Sequence, residues 1–236
     1  MKIVVLTTET LHHAFFLKYL ADAFPVAATF VETEHLRPPF ETHHPFEVLM
    51  EEYEAQKWFG GNQPRLSDFA ETSEFSSVND AAAVATMADL NPDVVVVFGT
   101  GKLRPAIIST CPEGMINLHG GDPERHRGLD THLWTVYHND FSGLITTLHR
   151  VNEALDDGDI ILQSSLELYP NMGIHMIRSV NTEACLKMTM SALDMYKRFG
   201  SFITRKQLAK GRYYSFIPAE LKEICKRKFE KYTRML

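Results

Sequence analysis

The chain is short of the features that assign a protein quickly. Its 236 residues contain only three cysteines, Cys111, Cys185 and Cys225. An odd number, with no C-x-x-C and no Cys/His spacing, argues against a disulfide framework or a structural zinc, and suits a reducing cytoplasm. No apolar run approaches the roughly 20 residues of a spanning helix. The amino-terminal run Ile3-Val4-Val5-Leu6 turns polar at Thr7, Thr8 and Glu9, too soon for a signal sequence. A soluble cytoplasmic protein with no membrane partner is expected. Charge of one sign is also scarce: the formal net charge is −6, so nothing global advertises nucleic acid. Glycine is missing where a dinucleotide cradle would need it, from Thr7 to Leu11. Backbone approach to a phosphate at that first turn is therefore not expected.

What is present reads as an α/β chain. With 44% apolar and 23% charged residues, the length suffices for one substantial core and not for two large domains. A catalytic domain over 1–199 and a short extension with a terminal helix over 200–236 are expected. Ile3 to Thr7 is a continuous apolar run rich in β-branched residues, as a strand buried on both faces requires. Thr8 or Thr10 can cap the helix that follows, and Pro25 ends it before a second apolar strand at 26–31. Residues 32–75 are the least regular part, with Pro38-Pro39 breaking the chain and a helix at 46–58; they read as an insertion on a sheet. His43 and His44 lie there in a polar loop and receive no role. Asp80 caps a helix through Leu90, and Val94 to Phe98, the most apolar run, is the natural central parallel strand.

That strand ends in Gly99-Thr100-Gly101-Lys102-Leu103. A glycine-bearing turn at the carboxyl end of a strand is where open α/β sheets bind ligands, although a tight connection needing positive φ explains it equally well. Further on come a helix at 132–138, a helix at 174–199 with a stripe of Cys185, Met188, Met190, Leu193 and Tyr196 read as core packing, a strand-like stretch at 211–215 and a last helix at 218–234. That last helix sets Leu221, Ile224, Cys225, Phe229 and Tyr232 on one side and a lysine- and arginine-rich face toward solvent.

One stretch holds the chemistry: Asn117-Leu118-His119, then His149, then Asp156-Asp157-Gly158. Asn117 and His119 are two apart in a short apolar run, so on a strand both side chains project to the same side. Asp156 stands between two further apolar runs, 143–151 and 159–166. A fold bringing that turn beside the Asn117 strand would assemble an amide, an imidazole and a carboxylate. Such a set suits acyl transfer to an amine, which needs a donor for the carbonyl oxygen and a base for the amine proton. No Ser or Cys is placed as a nucleophile, so direct transfer is favoured. Blander readings stand beside this one: Asn117 and His119 satisfying backbone groups, Asp-Gly as a type I′ hairpin turn, and His149 as a core histidine. A His119/His149/Asp156 metal site lacks the usual paired spacing.

The ordered set Asn117-x-His119, Arg127-Gly128, Thr147-Leu148-His149 and Leu155-Asp156-x-Gly158-x-Ile160-Ile161 resembles the 10-formyltetrahydrofolate-dependent formyltransferases, over about 92–166. The resemblance implies a Rossmann-like formyltransferase fold, a mostly parallel sheet flanked by helices, and 10-formyltetrahydrofolate as formyl donor. It implies catalytic roles for Asn117, His119 and Asp156, with Thr100, Gly101, Lys102, Leu103, His149, Val151 and Leu155 on the folate side. The family's apolar segment after the histidine is replaced here by Gly121-Asp122-Pro123-Glu124. A second domain and a basic groove are not evident, which disfavours tRNA; the glycine-rich phosphate loop of the glycinamide ribonucleotide enzyme is missing as well. What remains is a small amine, foremost a nucleotide-linked amino sugar, with Lys102, Arg125 and Arg127 as candidate phosphate contacts and a homodimer as a possible assembly.

Overall fold

The computed structural model describes residues 1–34 and 36–236. Continuous apolar runs become strands covered on both faces. The strands β1 (Ile3–Thr7), β2 (Val26–Glu32), β3 (Thr72–Phe75), β4 (Val94–Phe98) and β5 (Met115–His119) pair in parallel, and β7 (Ile145–Arg150) and β8 (Ile160–Ser165) continue the sheet antiparallel. The order is β3-β2-β1-β4-β5-β7-β8. Between them run α1 (Leu11–Ala23), α2 (Phe46–Phe59), α3 (Ala81–Leu90), α4 (Pro105–Ile108) and α5 (Thr131–Tyr137). The two-residue alternation then builds two cores. Ile3, Val5, Val94, Val96 and Ile116 meet Phe16 and Leu20 of α1 and Leu186 and Leu193 of α6 (Ile177–Phe199). Val4, Leu6, Val95, Val97 and Met115 meet Met87 of α3 and Ile107 of α4 on the other face.

Thr10 caps α1 as its position requires, accepting the His13 N–H. Asp80 begins α3 but turns its carboxylate back to the Ser77 N–H at 3.0 Å. The irregular stretch after β2 departs from expectation. Thr72–Phe75 is a parallel edge strand on β2; its four residues are mixed in polarity and only half covered, so no apolar run marks it. Glu32, the last residue of β2, is buried and accepts the Gly101 N–H at 2.6 Å.

Residues after α6 lie against the same body. β9 (Arg212–Tyr214) pairs in parallel with the short β6 (His126–Gly128), and Phe229 and Cys225 of α7 (Ala219–Thr233) pack with Val136, Ile174 and Phe46. The charged face of α7 is not wholly solvated: Lys222 is 3% exposed, its ammonium 2.6 Å from the Glu47 carboxylate on α2. Burial of that charge is tolerable because it is paired. Among the described residues no helix is long and apolar enough to cross a membrane.

Strand order reverses between β1 and β4, with β2 on one side and β5 on the other. Carboxyl ends at such a point diverge into a crevice, and a cleft of about 760 Å³ opens there, lined from Thr8 and Thr10 across Phe98 to Leu103. Phe16, 1% exposed and edge-on to Phe98 at 5.1 Å, supports its floor. Phe16→Ala should lower the unfolding free energy by about 3–5 kcal/mol, measured by denaturant titration. An effect under about 1 kcal/mol would mean the floor packs otherwise.

Candidate active site

Asn117 and His119 do share a face, and both line the cleft. The antiparallel β5–β7 pairing sets His149 directly opposite Asn117, so the carboxamide Nδ2 and the imidazole Nε2 meet at 3.1 Å. His149 is thus buried like a core histidine and at the same time lines the cleft.

Asp156 reaches this pair from the connection between β7 and β8. The connection is not a two-residue Asp-Gly hairpin: it spans 151–159, with Asp156 itself in the left-handed region at φ +51°. Its Oδ1 lies 3.6 Å from His119 Nδ1 and 3.7 Å from His149 Nε2. Its Oδ2 accepts the Gly128 N–H at 2.9 Å. Gly128 holds φ +98°, and a Cβ there would sit 2.1 Å from the Tyr214 carbonyl oxygen. Only glycine lets β6 and β9 approach so closely while aiming that N–H at the carboxylate. The three groups are 3–6% exposed.

Contacts with carbonyls locate the ring protons, since a carbonyl can only accept. His119 Nε2 lies 2.9 Å from the His126 carbonyl oxygen, so Nε2 carries the proton. His149 Nδ1 lies 2.8 Å from the Arg150 carbonyl oxygen, which leaves Nε2 bare to accept from Asn117. Burial pushes the His119 pKa below the usual imidazole value, against the pull of Asp156 and of its bond to His126. Burial would raise the Asp156 pKa, but the facing His119, His149 and the Gly128 N–H outweigh it and hold the carboxyl at about 2. At neutral pH the centre therefore holds an ionised carboxylate facing two imidazole nitrogens. His149 Nε2 already has the Asn117 amide, whereas among the described residues no protein group donates a hydrogen bond to Asp156 Oδ1 or His119 Nδ1, 3.6 Å apart. An amine fits between these two acceptors, since it brings N–H groups.

The remaining candidates are placed unevenly. Thr100 to Leu103, Val151 and Leu155 line the cleft near Asp156. Gly99 has φ +87°, as the tight connection requires. The Gly101 N–H is occupied by Glu32, and Asn79 bonds both the Lys102 carbonyl and the Arg104 N–H, so this loop is braced from behind. Arg125 and Arg127 do not face the cleft as phosphate ligands. Arg125 pairs with Asp140 at 2.9 Å and with Asp122; Arg127 donates to the Gly211 and Leu155 carbonyls at 2.8 and 3.1 Å. Lys102 is exposed at the cleft edge. Among the described residues no three His, Cys, Asp or Glu side chains form a metal-holding group.

Sequence reasoning missed a further part of the cleft wall. His12, His132, Arg178 and Asn181 line it with Phe46, Met50 and Ile177. Arg178 is held by Glu54, 0% exposed, through two contacts of 2.8 and 2.7 Å. Burial pushes His12 well below the usual imidazole value and His132 to about 4. They lie on four helices distant in sequence: helical spacing links Phe46 with Met50 on α2 and Ile177 and Arg178 with Asn181 on α6, but nothing local links those groups to each other, to His12 or to His132.

A family model described as formyl transferase matches residues 27–185, about two thirds of the chain. A methionyl-tRNA formyltransferase of Syntrophus aciditrophicus (strain SB) is 32% identical over 112 residues, covering 46% of this chain and 36% of that protein. The chain thus spans about a third of the length of the curated relatives it matches. The formyltransferase PseJ from Anoxybacillus kamchatkensis, solved with UDP-4,6-dideoxy-4-formamido-L-AltNAc and tetrahydrofolate, superposes with a TM-score of 0.56 at 18% identity, over 91% of this chain and 86% of that one. Glycinamide ribonucleotide transformylase 1 from Symbiobacterium toebii gives 0.58 at 17% identity, over 87% and 93%. At such identities the superpositions establish the fold.

The buried histidines make stability fall in acid. Unfolded imidazole binds its proton near 6.5; folded His13 and His132 bind theirs only near about 4, because burial opposes the charge. Between those values the unfolded chain holds more protons, so stability drops as pH falls from 6.5 to about 4. Asp156 extends the loss from its unfolded value near 3.8 down to about 2. Denaturant titrations from pH 8 to pH 4 should show midpoints declining below pH 6.5. Constant midpoints would contradict neutral burial.

Proposed function

The chain belongs to the formyl transferase family, and we propose that it moves a formyl group from 10-formyltetrahydrofolate to the primary amine of a small acceptor. The observation that carries this is the buried Asp156 carboxylate, its Oδ1 3.6–3.7 Å from both imidazoles at the base of the cleft. The neutral acceptor amine enters between Asp156 Oδ1 and His119 Nδ1. Its nitrogen attacks the formyl carbon, and as that C–N bond forms the nitrogen, now positively charged, gives up a proton to Asp156. The negative charge that builds on the formyl oxygen is met by the second N–H of Asn117, whose orientation the bare His149 Nε2 dictates. The bond from the formyl carbon to the folate nitrogen breaks as that nitrogen takes up the proton Asp156 had received, leaving a formamide and tetrahydrofolate. His119, anchored at Nε2 by the His126 carbonyl, offers Nδ1 as the second proton carrier beside Asp156.

The loops at 99–103 and 151–155 take the folate side, as the resemblance implies. The wall formed by α1, α2 and α6 takes the acceptor, and a nucleotide-linked amino sugar is our reading of its class. Arg178, Asn181 and His12 mix donors and acceptors beside the apolar faces of Phe46 and Met50, which suits a sugar ring. Tyr213, 53% exposed at the cleft edge, offers a face on which a base can stack. With Arg125 and Arg127 held by internal partners, a diphosphate would rely on Lys102 and on groups at the rim.

Tetrahydrofolate release assayed against amino-sugar nucleotides, amino acids and glycinamide ribonucleotide identifies the acceptor. With it, Asp156→Asn should lower kcat by about 100- to 10,000-fold, and Asn117→Ala by about 100-fold or more, with folded stability retained. An Asp156→Asn protein turning over at the unsubstituted rate would remove the mechanism.

A further inference from the structure

The catalytic loop is held by a side chain outside the segment that the family model matches. Asp156 adopts a left-handed φ of +51° in the connection 151–159. A non-glycine residue keeps that conformation when its surroundings over-determine it. Its side chain has the Gly128 N–H, but its backbone carbonyl needs a separate anchor. That anchor is Gln207. Its Nε2 donates to the Asp156 carbonyl at 2.9 Å and to the Gly158 carbonyl at 2.9 Å. Two amide protons meet two carbonyls flanking the turn, and the match is complete. Gln207 Oε1 is buried and has no partner among the described residues, so the residue acts through its nitrogen alone. The reversed amide would set oxygen against two carbonyl oxygens.

Gln207 is itself fixed by a strap from Arg205 to Arg212 that is stitched to both loops of the site. Arg205 exchanges both backbone bonds with Ile160 at 2.8 and 2.9 Å, and its guanidinium holds Glu124 at 3.1 and 2.7 Å. Gly211 N–H donates to the Pro123 carbonyl and Arg212 N–H to the Arg125 carbonyl, each at 3.0 Å. On one side the strap thus holds the loop whose His126 carbonyl anchors His119 and whose Gly128 N–H anchors Asp156. On the other it holds the turn that carries Asp156.

We propose that Gln207 is a positioning residue for formyl transfer: its amide clamps the Asp156 and Gly158 carbonyls and so aims the Asp156 carboxylate at His119 and His149. The proposal rests on reading Asp156 as the base. It assigns a task to a residue beyond position 185, where the family match ends. The neighbouring Lys210–Asp157 contact, 3.7 Å and partly exposed, serves as the control.

The test needs no acceptor, because the Gly128 amide proton reports the carboxylate it bonds. The groups facing Asp156 are His119 from β5 and His149 from β7, with Lys210 beside the adjacent Asp157. In the unsubstituted protein the ¹⁵N-resolved Gly128 resonance should be shifted downfield, with no carboxylate inflection above pH 4. Gln207→Met, of similar length without the donor, should bring that inflection above pH 4 and move the resonance upfield. Lys210→Ala should leave both unchanged. A Gln207→Met protein whose Gly128 resonance titrates as in the unsubstituted chain overturns the clamp. If Gln207→Met does not fold, the unsubstituted protein decides. Side-chain amide protons of Gln207 exchanging slowly, with two separated resonances, support the clamp; free-glutamine shifts and exchange overturn it. Loss of transfer in Asp156→Asn tests the base separately, so the clamp and the catalytic reading can fail independently.

Discussion

Keeping the Asp156 carboxylate ionised inside the protein is the constraint from which the rest of the site follows. A buried carboxylate without partners would take up a proton. Here one oxygen receives the Gly128 N–H and the other faces two imidazoles. The Gly128 N–H stabilises the charge without neutralising it, and among the described residues the oxygen facing the rings has no hydrogen-bond donor within 3.5 Å, so the centre keeps an unmet demand for donors. In the proposed reaction an incoming amine supplies them. Stability of the site and the proposed reactivity toward amines are then two aspects of one arrangement of protons.

That arrangement depends on elements that touch no substrate. The β5–β7 register pairs Asn117 with His149, and a shift of one residue would turn either side chain to the other face of the sheet. The strap around Gln207 and the two bonds of Arg127 hold the backbone on both sides of Asp156. Gly128 provides an approach between β6 and β9 that no other residue permits. Loops that would otherwise be mobile are pinned by side chains to carbonyls, the arrangement that precise positioning of a catalytic group calls for.

The wall proposed for the acceptor is built differently. Its ionised groups come in pairs, Arg178 with buried Glu54 and buried Lys222 with Glu47, so the wall presents hydrogen-bonding edges with little net charge. Both pairs tie α2 to the helices packed beside it. Breaking one partner of either pair would strand the other charge in a poorly solvated place, which makes this wall rigid as well as polar.

Much of the scaffold was legible in the chain because it is written locally. Apolar runs rich in β-branched residues marked β1, β2 and β4, a short apolar run marked β5, and Thr8 or Thr10 marked the start of α1. The two-residue spacing of Asn117 and His119 placed them on one face, and the ordered motifs tied Asp156 to them. The strand Thr72–Phe75, the burial of Lys222 and the holding roles of Arg127 and Gln207 were not legible. Each depends on a partner distant in sequence: Gln207 lies 51 residues from Asp156, and Arg127 84 residues from Gly211. By itself the sequence determined which groups could do the chemistry, since periodicity and residue type are properties of neighbouring positions. Tertiary structure alone decided how Asp156 is aimed and where each proton sits, because those rest on single hydrogen bonds between segments that only folding brings together.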